Sequence, residues 1–147
     1  MFNKKVYDMV DNASKQKLVN ILKNYKYELV GNINDEHYSK TDIITYNRLN
    51  NKTLLWEIEV KNTKDFNNVL NGTYKTIYIN YRKRNNESNF YCIFNQEYTQ
   101  CAFGKMQQIK QSPVKDIITT YGNEKVFNVQ SSLFTFYNIV NDKLIKI

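Results

Sequence analysis

Leu54-Leu55-Trp56-Glu57-Ile58-Glu59-Val60-Lys61 is the stretch on which the fold turns. Successive side chains of a strand point to opposite faces. Leu54, Trp56, Ile58 and Val60 therefore share one face, and Leu55, Glu57, Glu59 and Lys61 share the other. A face that is wholly apolar needs a core beneath it. A face carrying two acids and a base needs solvent, a partner or a ligand. Just upstream, Asp42 to Tyr46 reads as a short strand with paired isoleucines, and Asn47 to Thr53 (NRLNNKT) as a turn. The two strands are predicted to be neighbours.

Working outward, residues 3 to 25 read as an amphipathic helix. Val6, Met9, Val10, Ala13, Lys17, Leu18, Ile21, Leu22 and Tyr25 fall mostly at three- and four-residue steps. Tyr27 to Ile33 is a first strand, weakened by Gly31, and Asp35 to Lys40 is a turn. Asn62 to Gly72 is a polar connection with room for a helical turn. Thr73 to Tyr81 is a strand and Arg82 to Asn89 (RKRNNESN) an exposed basic loop. Phe90 to Phe94 and Gln100 to Phe103 form a hairpin turning at Gln96-Glu97, which sets Cys92 opposite Cys101. Ser112-Pro113 is a helix start, with serine as N-cap, and that helix runs to about Tyr121 and stops at Gly122. Val126 to Val129 is a further strand, and Phe134 to Ile147 fits helix or strand. The expected fold class is α+β (α/β), a mixed central sheet flanked by helices. One proline, four glycines and no repeat across 147 residues favour a single domain, 1–147.

The balance of charges is +7. A basic surface attracts polyanions and releases their counterions. No apolar run approaches the ~20 residues of a membrane helix, and MFNKKVYDMVDNASK lacks the apolar stretch of a secretory signal. A cytosolic or nuclear location is expected, that of the host if the chain is viral. Two cysteines are too few for a disulfide scaffold or a structural zinc site. His37 is the sole histidine, with no serine or cysteine motif near it to suggest a triad.

Phosphodiester hydrolysis needs an activated water, a polarised phosphate and a stabilised leaving oxygen, and Mg²⁺ can serve all three needs. Mg²⁺ prefers hard oxygen ligands and keeps several waters, so two carboxylates and a carbonyl suffice. Asp42 opens one strand. Glu59 and Lys61 project from one face of the next, with the Val60 carbonyl between them.

The segment KTDIITY followed by LLWEIEVKN, residues 40–46 and 54–62, resembles the core of the PD-(D/E)xK nuclease superfamily. The resemblance implies a restriction endonuclease-like sheet and a metal-dependent deoxyribonuclease, an endonuclease using Mg²⁺ with Mn²⁺ as substitute. It implies Asp42 and Glu59 as metal ligands, the Val60 carbonyl between them and Lys61 as the residue orienting the water. Thr41 stands where the pattern has its proline. Glu57 is an additional ligand or a surface acid. Relatives often add an acid from the first helix, for which Asp8, Asp11, Asp35 and Glu36 are the candidates. Arg82, Lys83 and Arg84 suit phosphate oxygens, with Lys75, Lys105 and Lys110 extending the track. Tyr74, Tyr78 and Tyr81 suit either base stacking or sheet packing. The expected partner is DNA, and a homodimer would enlarge the footprint. The alternative is a catalytically inactive relative that binds nucleic acid or serves assembly.

Overall fold

The computed structural model describes residues 4–35 and 40–147. The side chains of Val6 and Asp8, and all of Glu36 and His37, lie outside that description. The helix α1 (Lys4–Lys23) forms where the periodicity predicts it. Its buried stripe is Ser14, Leu18, Ile21 and Leu22 with Val19 beside it, whereas Met9, Val10 and Tyr25 are exposed. The strand β1 (Tyr27–Leu29) ends before Gly31, whose φ of 76° breaks the extended chain. β2 (Ile43–Asn47) and β3 (Lys52–Lys61) make the expected hairpin, with Ile43 opposite Trp56 and Asn47 opposite Lys52. The polar connection after it holds a helix, α2 (Thr63–Leu70). The Asn62 side chain caps α2 by accepting the Asp65 N–H.

β4 (Thr76–Asn80) and a 3-10 turn at Tyr81–Asn85 then lead to β5 (Phe90–Asn95), which lies parallel to β3. β6 (Gln100–Lys105) returns antiparallel to β5, in a register two residues from the one expected. Cys92 faces Phe103, and Cys101 faces Phe94. The Asn95 side chain accepts the Thr99 and Gln100 N–H groups, and Tyr98 sits at φ 58°, so the turn is one step longer than a tight reversal. An even shift keeps both thiols on the same face, buried and free.

The C-terminal third departs most from expectation. A short helix, α3 (Met106–Lys110), was not foreseen. The helix expected from Ser112 to Tyr121 is instead β7 (Val114–Thr119), which pairs with β8 (Gly122–Gln130) through a turn at Thr119–Gly122. β-Branched Val114, Ile117, Ile118 and Thr119 favour strand over helix, and Gly122 at φ 110° serves the turn rather than a helix end. The ambiguous tail is β9 (Thr135–Val140) and β10 (Lys143–Lys146). They are joined by Asn141 and Asp142, both at positive φ, as a two-residue hairpin requires.

Seven strands form one sheet in the order β1-β2-β3-β5-β6-β9-β10, and three form a second, β4-β8-β7. The large sheet is parallel only at β3–β5. On one face Trp56, Ile43, Cys92, Phe94 and Cys101 pack under α1. Residues of β1 and of the β9–β10 hairpin belong to that same cluster, so the sheet curls round the helix. Lys17 bonds Asp142 at 2.6 Å, the Asn24 amide donates to the Asp142 carbonyl, and the Leu144 N–H donates to the Tyr25 hydroxyl. On the other face Tyr91, Ile93 and Ala102 meet Ile77, Ile79, Phe127 and Val129 of the small sheet, with Phe66 of α2 and Met106 and Ile109 of α3.

The expected α+β layout, a restriction endonuclease-like sheet flanked by helices, is therefore corrected. The chain is mostly β, with ten strands against three α-helices among the described residues, and a second sheet covers a face where helices were expected. The cause is the pair of C-terminal hairpins, whose turns at Gly122 and Asn141-Asp142 take positive φ and return the chain as strand. Among the described residues no helix is long and apolar enough to cross a membrane.

Candidate active site

β2 begins opposite Trp56, so β3 continues from Glu57 to Lys61 with β5 on one side and, among the described residues, no strand on the other. Asp42 occupies the first step of this bare edge. Its N–H donates to the Trp56 carbonyl at 3.0 Å, and its carboxylate accepts the next free edge donor, the Ile58 N–H, at 2.8 Å. Thr41 secures the approach, its buried hydroxyl lying 3.1 Å from the Trp56 carbonyl and 2.7 Å from the Ser88 hydroxyl. A proline at this position would offer neither contact.

Beyond Asp42 the edge opens into a pocket of about 270 Å³. Asp42, Glu59 and Val60 line it from the hairpin. Asp11 and Ser14 come from α1, Tyr91 from β5, and Asn80, Arg82 and Lys83 from the end of β4 and the turn after it. The structure thus brings Asp42, Glu59, Val60, Arg82 and Lys83 together. It does not bring Lys61 to them, because that side chain lines the adjoining groove between α2 and β4. Glu57 lies beneath the pocket, 3 % exposed, and is ion-paired with Lys83. Arg84 is not among the lining residues. Its guanidinium stacks 4.8 Å from the Tyr81 ring centre. Of the acids considered for the helix position, Asp11 reaches the pocket and is paired with Lys15 at 3.0 Å. Asp35 instead closes a local turn by accepting the Asn32 N–H.

The buried charges interact strongly. The Asp42 carboxyl is raised from 3.8 to about 7, first by burial and then by the charge of Glu57, to which it is also hydrogen-bonded. The Ile58 N–H and Lys83 oppose that rise without cancelling it. Asp42 therefore keeps its proton up to about neutral pH, because its carboxyl is buried beside a second carboxylate. Tyr91 donates its hydroxyl to Glu59 at 3.2 Å. Burial, followed by the charges of Glu59 and Glu57, pushes this phenol well above its usual range, so it remains a donor.

Asp42, Glu59 and the Val60 carbonyl could hold a cation. These donors are hard oxygens, and one carboxyl keeps a proton that a cation would displace, so the set fits Mg²⁺ or Mn²⁺. Among the described residues no group of three or more His, Cys, Asp or Glu is gathered for a metal. The set is two carboxylates and a carbonyl, while Glu57 is paired with Lys83 and bonded to Asp42.

Sequence reasoning missed Tyr91 and the inward role of Lys83. Tyr91 stands beside Glu57 only through the parallel β3–β5 register, a pairing between segments remote in sequence. Lys83 looked like one of three loop cations, and only the 3-10 turn directs it onto Glu57. The chain matches no family model, no curated protein and no solved structure.

Proposed function

We propose that the protein is a Mg²⁺-dependent nuclease hydrolysing DNA phosphodiester bonds. The reading rests on the chemistry of the Asp42…Glu59-Val60 segment, carried on a β-rich frame unlike the one its motif resembles. The observation that supports it most is the meeting of Asp42, Glu59, Val60 and Lys83 in one pocket at an unpaired strand edge. Asp42, Glu59 and the Val60 carbonyl would hold the cation. When bound, Mg²⁺ supplies Lewis-acid polarisation of the phosphate and a more acidic water. Tyr91 fixes the Glu59 carboxylate by its hydrogen bond. Lys83 takes the part that the motif gives to Lys61, because its ammonium stands among the carboxylates. Arg82 forks onto non-bridging phosphate oxygens. An endonuclease mode is part of the proposal. A cytoplasmic or nuclear location would put the chain with DNA, and a homodimer would lengthen its contact.

A second reading is a binding or assembly module without catalysis. One observation favours it. The Lys83–Glu57 pair and the proton on Asp42 already accommodate the buried charge without a cation.

The test is incubation with plasmid, linear, single-stranded and branched DNA in Mg²⁺, Mn²⁺ or EDTA. Metal-dependent cleavage is expected. Glu59→Gln abolishes it, Lys83→Ala lowers kcat by roughly 100-fold or more, and Lys61→Ala acts chiefly on KM. Cleavage that survives Glu59→Gln sinks this site. Tight binding without cleavage in either metal establishes the second reading.

A further inference from the structure

Next to the pocket lies a groove of about 520 Å³, the size class of a small-ligand site. The two cavities are successive steps along the same strands. Glu59 lines the first and Lys61 the second, while Asn80 lines the first and Tyr78 the second. Two residues of strand span about 7 Å, a distance close to one nucleotide step in an extended single strand. The groove's chemistry differs from the pocket's. Lys61 and Lys75 line it, and Lys115 borders it, with its ammonium 5.3 Å from the Tyr78 ring centre and bonded to the Tyr78 hydroxyl. Asp65, the acid of the lining, is held by the Asn62 amide at 2.8 Å.

Tyr74 is 44 % exposed, yet its backbone is fixed. The Tyr74 N–H donates to the Asn68 carbonyl at 2.8 Å, and the Asn71 side chain holds both the N–H and the hydroxyl of Thr73. A partly exposed tyrosine on a pinned turn, in a groove that two lysines also line, is what a stacked base with its phosphates needs.

We infer that the groove lined by Lys61, Tyr74, Lys75 and Tyr78 binds one unpaired nucleotide next to the scissile phosphate, so that the substrate is single-stranded DNA or a duplex with a frayed or branched end. The inference rests on the nuclease reading for the place of the scissile phosphate. Tyr74 supplies the stacking face. Lys61 and Lys75 take the phosphates either side of the base, which gives Lys61 a binding part in place of a chemical one.

The test reads binding in EDTA by fluorescence anisotropy, with a short fluorescein-labelled single strand and the matching blunt duplex. Tyr74→Ala is expected to weaken single-strand binding roughly five-fold or more while leaving the duplex unchanged, and Tyr74→Phe to restore it. In the unmodified protein, a strand carrying 2-aminopurine is expected to lose emission as the base stacks. Wild-type affinity in Tyr74→Ala, an equal loss on both DNAs, or unquenched 2-aminopurine at saturation would each overturn the proposal. Because no metal is present, a missing cleavage activity defeats the nuclease reading without altering this result.

Discussion

At the level of single residues, Asp42 carries a pH dependence of stability. Its folded-state value of about 7 lies above the ordinary 3.8, so the folded chain keeps a proton that the unfolded chain gives up. That contribution is complete below pH 3.8 and is lost as pH rises towards about 7. Asparagine at position 42 still accepts the Ile58 N–H and can donate to Glu57 permanently. Asp42→Asn is therefore expected to melt higher than wild type at pH 8 and to lack the decline between pH 4 and 7, as thermal or urea unfolding across that range will read. Saturating Mg²⁺ should raise wild type alone at pH 8. A wild type whose decline matches that of Asp42→Asn would sink the assignment. Part of this site was legible in the sequence, because alternation on one strand alone orders Glu57, Glu59 and Lys61. The alternation did not reveal which of the three is free to act. Glu57 is consumed by Lys83, and Lys61 is one step too far along the strand.

Legibility at the level of elements follows the range of the signal. α1 and the β2–β3 hairpin are encoded in local periodicity and were read within a few residues. β7 was misread because Ser112-Pro113 resembles a helix start, while the competing signal lay beyond it, in the β-branched run and the Gly122 turn. The packing of β6 shows a constraint of the same long-range kind. A methyl group on Gly104 would fall 2.7 Å from the Phe134 ring, a buried part of the core between the two sheets. Gly104→Ala is expected to destabilise by about 1–3 kcal/mol through overpacking. Adding Phe134→Leu should cost less than the sum of the two single changes, as chemical denaturation of the double-mutant cycle will measure. Strict additivity would mean that the ring is not the obstacle. Nothing in the local sequence announces that contact, since Phe134 belongs to a segment that meets β6 only through the β6–β9 pairing.

Taken whole, the molecule is a curled sheet with a helix in its hollow and a smaller sheet on its back, and the +7 balance acts over its entire surface. With Arg82, Lys61 and Lys75 on phosphates, the logarithm of the single-strand binding constant should fall with the logarithm of salt at a slope of about −2, each cation contributing ~0.7. Lys75→Ala should flatten the slope by that increment, and a slope near zero in the wild type would exclude the basic track. The sequence foretold strands in plenty but not their division into two sheets, because the order β4-β8-β7 joins segments nearly fifty residues apart. The same remoteness bears on how the chain is made. The seat of α1 is finished by Asp142 and Leu144, whose bonds to Lys17, Asn24 and Tyr25 span up to 125 residues. During synthesis α1 emerges more than a hundred residues ahead of these supports. Until the β9–β10 hairpin exists, the Leu18–Leu22 stripe has only a partial cradle, so α1 stays incompletely covered over that interval and exposed to non-native contacts.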